Sequence, residues 1–288
     1  MNFGHVLTAM VTPFNSRGEI DLERTTILIE YLLENGTEGL VVAGTTGESP
    51  TLSKEEKLEL FTHVVTVVNK RVPVIAGTGS NNTASSVSLT KEAEACGVDA
   101  IMLVTPYYNK PNQRGLYAHF STIADATSLP VMLYNIPGRS AVKMTAETII
   151  NLSEVKNIVS VKEASGDLDQ VADIIESTEE GFSVYSGDDS STLPMLSLGA
   201  AGVVSVASHI IGNEMKKMVQ FFMQGKTKQA AAVHRKLLPI MNGLFTSPSP
   251  TPVKTALQMK GIETGGVRLP LVALTEQETQ ELKQLIEE

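Results

Sequence analysis

Lys162 closes the apolar run IVSV, and a lysine inside an apolar strand is a candidate amine nucleophile. Desolvation lowers the pKa of an amine, and the neutral amine is the form that attacks a ketone to make an imine. Period-2 alternation puts Lys162 on the same side as Ser160 and Ile158, with Val159 and Val161 on the other. That suits valines against helices and the lysine in a barrel lumen. The alternative is a strand-end lysine paired with an acidic neighbour. At 44–49 the segment GTTGES supplies small residues, hydroxyls and backbone amides, a combination that binds carboxylates. It reads equally as a glycine-rich turn whose threonines fill space. Tyr107 and Tyr108 follow the run AIMLVTP, Tyr134 lies in PVMLYNIP, and Arg139 comes just after it. A tyrosine can carry a proton and an arginine can fork onto a carboxylate. Singly each reads as packing or a surface ion pair; their coincidence at successive strand ends favours a site.

The elements that must position these groups are short aliphatic runs at 5–11, 39–44, 73–79, 100–106, 130–137, 158–165, 182–188 and 202–208. Longer segments with helical spacing separate them, the βαβ rhythm of a parallel sheet. Near-continuous apolar strands imply burial on both faces, and eight units favour closure into a (β/α)8 TIM barrel. Ser53 with Glu56 and Thr275 with Glu278 fit capping boxes, and Asp21 precedes an amphipathic run. From about Ile211 onward only helical segments follow, with SPSPTP at 247–252 as a turn between two of them. The expected organisation is a catalytic barrel over 1–225 and a C-terminal helical extension over 226–288, packed on the barrel.

Of 288 residues, 42% are hydrophobic and 19% charged, which is ample for a large core. A formal net charge of −9 argues against nucleic acid or an anionic membrane as the main partner. The amino terminus lacks the build of a signal peptide and no membrane span is read, so a cytoplasmic location is expected. The lone Cys96 reads as a buried small apolar side chain. A metal-dependent barrel hydrolase or aldolase needs histidines and carboxylates converging at strand ends. His5, His63, His119 and His234 scatter over a strand start and helices, leaving His209 nearly alone. Asp188 and Asp189 after the seventh run disfavour a sugar-phosphate site, which prefers amides and cations there.

GTTGES (44–49), TPYYNKP (105–111), YNIPGR (134–139), VKEASGD (161–167), YSGDD (185–189) and GVVSV (202–206) stand in this order at the predicted strand ends. In this the chain resembles the dihydrodipicolinate synthases, within the N-acetylneuraminate lyase superfamily, over nearly its whole length. The lysine motif and the GTTGES turn are shared across that superfamily; YNIPGR is more discriminating. The resemblance implies that Lys162 forms a Schiff base with pyruvate and that Tyr134 donates and accepts protons beside it. It implies a relay of Thr45, Tyr134 and Tyr108, the last reaching in from a neighbouring subunit of a homodimer or homotetramer. It makes Thr46, with the backbone of Thr45, the holder of the pyruvate carboxylate, with Gly187 and Val204 lining the same pocket. Arg139 is then the partner of the carboxylate of L-aspartate 4-semialdehyde, and no metal or organic cofactor is required.

A rival within the superfamily is another pyruvate-dependent aldolase, an N-acetylneuraminate or keto-deoxy-sugar-acid lyase, which would share Lys162 and Tyr134; Arg139 speaks against it. A non-catalytic binding or regulatory barrel would keep the fold and have no need of the lysine. Members of the family that are inhibited by lysine bind it at an interface cleft with histidines and a glutamate. The corresponding positions here are Lys54, Lys57 and Ser85, which implies weak or absent inhibition.

Overall fold

The computed structural model describes residues 3–287. Each apolar run supplies one strand: β1 (Val6–Ala9), β2 (Gly39–Val42), β3 (Val74–Gly77), β4 (Ala100–Val104), β5 (Val131–Asn135), β6 (Ile158–Glu163), β7 (Ser183–Ser186) and β8 (Gly202–Ser205). They pair in parallel in chain order, and β8 returns to β1, so the barrel is closed. Closure removes the sheet edges and leaves two buried surfaces, a lumen and an outer face.

The helices are α1 (Leu22–Glu34), α2 (Lys54–Val68), α3 (Thr83–Ala95), α4 (Gln113–Ala124), the single turn α5 (Pro137–Ser140), α6 (Ala146–Ser153), α7 (Leu168–Ser177), α8 (Thr192–Ser197) and α9 (Ser208–Met223). Then come α10 (Thr227–Gly243), α11 (Thr251–Met259) and α12 (Glu276–Glu287). The cap signals act as read. Ser53 Oγ accepts the Glu56 N–H at 3.2 Å while Glu56 accepts the Ser53 N–H at 2.8 Å. Thr275 and Glu278 make the same exchange, and Asp21 accepts the Arg24 N–H at 3.0 Å. The SPSPTP turn is shorter than read from the sequence, because Thr251 and Pro252 already belong to α11, a proline being well tolerated in a first helical turn. Among the described residues no helix is long and apolar enough to cross a membrane.

Two outer clusters fill the space between strands and helices. One joins Leu28 of α1, Leu60 of α2 and Met215 of α9 to Leu237, Leu257 and Leu282 of the last three helices. The other lies under α4, α6 and α7. Inside the barrel, Leu7, Val41, Ile75, Met132, Tyr134, Tyr185 and Val204 pack together in the lumen.

Strand β6 corrects the alternation read from sequence. Val131 pairs with Ile158 but Met132 pairs with Ser160, so an extra residue bulges between them. Ile158 therefore joins the outer cluster and Val159 packs against the lumen, the reverse of the expectation. The bulge is spent before Val161 and Lys162, which keep their expected sides: Val161 lies in the outer cluster and Lys162 sits against the ring of Tyr134. Cys96 is also less buried than expected, because it caps the exposed end of α3.

Candidate active site

Parallel register places Tyr134 of β5 opposite Lys162 of β6, and Lys162 opposite Tyr185 of β7. The lysine is 5% exposed, and its Nζ lies 4.1 Å from the centroid of the Tyr134 ring. Tyr185 was not singled out from the sequence. Its ring fills the lumen beside the lysine and its hydroxyl donates to the Gly4 carbonyl at 3.1 Å. Burial pushes that phenol up to about 12, so it stays protonated at neutral pH. Gly187 borders the stem of the lysine: a Cβ there would lie 3.1 Å from both Cγ and Cε of Lys162. Val204 is buried in the lumen cluster.

A cavity of about 410 Å³ is lined by Gly44, Thr45, Tyr107, Tyr134 and Arg139. Tyr134 thus touches both the cavity and the amine. The GTTGES turn is folded on itself, with the Glu48 N–H donating to the Thr45 carbonyl at 3.1 Å and the Ser49 N–H to the Gly44 carbonyl at 3.2 Å. Thr12 fastens it from the β1 side by donating to the Gly47 carbonyl at 2.7 Å. Thr46 is buried within the turn. The end of β3 approaches so closely that a Cβ at Gly77 would strike the Ala43 carbonyl. Arg139 is carried by α5, the single turn that follows β5, and lies at the cavity wall.

Tyr108 is not brought to the other groups within the protomer. It has φ 72° and is 90% exposed, while Tyr107 beside it lines the cavity and its backbone carbonyl accepts from Asn81 Nδ2 at 3.1 Å. A bulky residue in left-handed backbone costs roughly 1–3 kcal/mol.

Two buried carboxylates that sequence reasoning did not assign hold the strand ends. Glu163 accepts from Asn135 Nδ2 at 2.9 Å, from Gln170 Nε2 at 3.1 Å and from the Ser165 N–H at 2.7 Å. Asp189, weighed earlier only against a phosphate site, accepts from Ser205 Oγ and from the N–H groups of Val206 and Ala207 at 3.1 and 2.9 Å. It therefore ties the Gly187 loop to the end of β8, and burial pushes its carboxyl up to about 6. The nearest sequence signal was the double aspartate itself, which does not say what it faces.

His209 is buried; its Nδ1 meets the Val206 carbonyl at 2.8 Å and its Nε2 accepts the Val11 N–H at 3.2 Å. Among the described residues no three His, Cys, Asp or Glu side chains converge as a metal site. A second hollow of about 490 Å³ is lined by Lys54, Lys57 and Ser85, and shares Lys57, Gly79 and Ser80 with the first. Lys54 lies 3.1 Å from Glu92.

Comparison with known proteins gives one consistent answer. The model of the dihydrodipicolinate synthetase family matches residues 2–288. A 4-hydroxy-tetrahydrodipicolinate synthase of Halalkalibacterium halodurans is 67% identical over 288 residues, which cover 100% of this chain and 99% of that protein. The crystal structure of a dihydrodipicolinate synthase from Bacillus anthracis is 57% identical, with a TM-score of 0.99 and coverage of 100% and 98%. The enzyme of Cyanidioschyzon merolae, solved with lysine bound, is 47% identical, with a TM-score of 0.97 and coverage of 99% and 97%.

Proposed function

The chain belongs to the dihydrodipicolinate synthetase family, and from that premise we infer that Lys162 is the amine on which its reaction is built. The enzyme is a lyase that condenses pyruvate with L-aspartate 4-semialdehyde to 4-hydroxy-tetrahydrodipicolinate, a step of diaminopimelate and lysine biosynthesis. The observation that carries the assignment of Lys162 is its place in the lumen: in register with Tyr134, with its amine 4.1 Å from the Tyr134 ring centroid.

In this reading Nζ of Lys162 attacks the ketone carbon of pyruvate and water leaves, giving an imine. The imine nitrogen draws electrons, so the methyl carbon loses a proton and becomes the nucleophilic end of an enamine. That carbon bonds to the aldehyde carbon of the semialdehyde. The substrate amine then attacks the imine carbon, closes the ring and releases Lys162. Tyr134 is the only tyrosine of the family motifs that lines the cavity and also borders the amine, which supports it as the group that moves these protons. Thr45 and Thr46 hold the pyruvate carboxylate through the folded GTTGES turn, and Gly187 and Val204 shape the space around the imine. Arg139, at the cavity wall, forks onto the semialdehyde carboxylate. A sugar-acid lyase would share Lys162 and Tyr134 but give Arg139 no such partner.

The exposed Tyr108 fits a protomer that lends this side chain to a neighbour, completing the relay with Thr45 and Tyr134 in a homodimer or homotetramer. We read 1–225 as the catalytic unit, 226–288 as the extension that packs on it, and the cytoplasm as its location. The test is an assay with pyruvate and aspartate semialdehyde coupled to reduction of the tetrahydrodipicolinate product. Turnover is expected only when both substrates are present; cleavage of sugar acids in its place would overturn the reading.

A further inference from the structure

Behind the GTTGES turn lies a buried ion pair between residues 206 positions apart. Glu48, the fifth residue of the turn, has φ 56° and is 2% exposed. One of its carboxylate oxygens accepts from Lys254 Nζ of α11 at 2.8 Å, and the other accepts the Arg268 N–H at 2.9 Å. Lys254 Nζ also donates to the Gly266 carbonyl at 2.7 Å. Both cations lie over the ring of Phe14, Lys254 Nζ at 4.2 Å and the guanidinium carbon of Arg268 at 4.4 Å from its centroid. The Arg268 guanidinium then continues to the Thr51 carbonyl at 2.8 Å and to Glu56 in the first turn of α2.

Such a pair is a poor source of stability. Taking two charges out of water costs roughly what their attraction returns. Burial indeed pushes Lys254 down to about 8 although Glu48 opposes the shift. What this pair does supply is geometry, because both Glu48 oxygens and the Lys254 ammonium are held by named partners. Glu48 is restrained from the C-terminal side, and its own N–H donates to the Thr45 carbonyl at 3.1 Å. The restraint therefore ends on the backbone that borders the cavity.

We propose that Glu48 and Lys254 are positioning residues of the pyruvate site: the pair holds the backbone of Thr45 and Thr46 in the shape that receives the pyruvate carboxylate. This rests on the reading that these threonines hold that carboxylate. It gives the helical extension a part in substrate binding, through Lys254 and the backbone of Arg268, which both hold Glu48.

Steady-state kinetics of three variants test it: Lys254→Met, the double variant Glu48→Gln/Lys254→Met, and Thr46→Val as a control on the turn. The double variant leaves no uncompensated charge, so it stands in if Lys254→Met fails to fold. A lost restraint on binding geometry should raise the pyruvate KM about tenfold while kcat at saturating pyruvate stays within about threefold. The KM for aspartate semialdehyde should stay within about twofold. Borohydride trapping of the Lys162 imine at subsaturating pyruvate should slow in parallel. A pyruvate KM within twofold of wild type in the double variant, with Thr46→Val raising it, overturns the role of the pair and leaves the reading of the turn standing. No effect on the pyruvate KM of either Thr46→Val or the double variant overturns both. A change spread over kcat and both KM values marks general damage and overturns the positioning role.

Discussion

One methyl group at position 187 tests how tightly the reactive lysine is held. In Gly187→Ala the new carbon would sit 2.7 Å from the Ala164 Cβ and 3.1 Å from Cγ and Cε of Lys162. Carbon atoms in contact prefer at least about 3.5 Å, so the first contact is short by about 0.8 Å and the others by about 0.4 Å. The backbone has little freedom to retreat, because the Gly187 N–H donates to the Glu163 carbonyl of β6 at 2.7 Å. The contact with Ala164 Cβ can be eased only by a small backbone shift, and the two with Lys162 by displacement of the lysine stem. Overpacking of this kind costs about 1–3 kcal/mol, which corresponds to a fall in melting temperature of roughly 2–10 °C. The effect on chemistry should be larger, since a displacement of about 1 Å at a reacting atom costs on the order of 100-fold and a push of about 0.4 Å on the lysine stem a part of that. Incubation with pyruvate and borohydride, quenched at intervals and followed by mass spectrometry of the digest, measures the reduced pyruvyl group on Lys162. Wild type should be labelled at that residue alone. The variant should be labelled about ten- to a hundredfold more slowly while still folded. Labelling at the wild-type rate would show that the stem is not confined by Gly187, and label on another lysine would remove Lys162 from the mechanism.

Arg139→Ala should impair use of aspartate semialdehyde by about 1.5–3 kcal/mol, roughly 10- to 150-fold, and leave imine formation with pyruvate intact. Equal weakening of both substrates in steady-state kinetics makes Arg139 structural. Mixing inactive Tyr108→Phe with inactive Lys162→Ala subunits should restore some activity, since a hybrid would hold one site with both residues; no recovery, with hybrids seen by native mass spectrometry, contradicts a shared site. L-lysine should fail to half-inhibit below about 1 mM, an affinity near 4 kcal/mol. Ser85 brings no carboxylate to the hollow, and Lys57 lines it partly desolvated, its pKa lowered by burial; titration at subsaturating pyruvate is the measurement. His209 is held down to about 4 by burial, so its contribution to stability is present above its ordinary value of about 6.5 and is lost as pH falls towards 4. Between pH 7 and 5.5 wild type should lose about 1 kcal/mol more than His209→Gln in denaturant titrations; equal losses would mean that burial does not lower the His209 pKa in the folded protein.

Much of the barrel was legible in the sequence because its signals are local. All eight aliphatic runs became strands, and Ser53 with Glu56, Thr275 with Glu278, and Asp21 cap helices where their spacing said they would. Side-chain capping acts over three residues, and strand burial on both faces is written in continuous apolar runs. The groups at the strand ends were legible for the same reason: neighbouring parallel strands in chain order bring Tyr134 and Lys162, each next to last in its strand, side by side. Their chemical roles were legible only through the resemblance of whole motifs.

What the sequence did not reveal depends on how the barrel closes and on which distant parts then meet. The bulge in β6 exchanges the sides of Ile158 and Val159, and it answers to register with β5, which no local period encodes. Tyr185 lies next to Lys162 because β7 follows β6 at a particular height. Asp189 reaches the end of β8, and Lys254 reaches Glu48, across separations of 16 and 206 residues. A buried carboxylate needs donors, and only the folded chain says which ones are within reach. The sequence by itself determined the strands, the caps and the residue types at the barrel mouth, since these follow from hydrogen bonds and burial within a few residues. Tertiary structure alone decided which charges were buried together and how far the lysine can move, because both depend on the distances that closure of the barrel imposes.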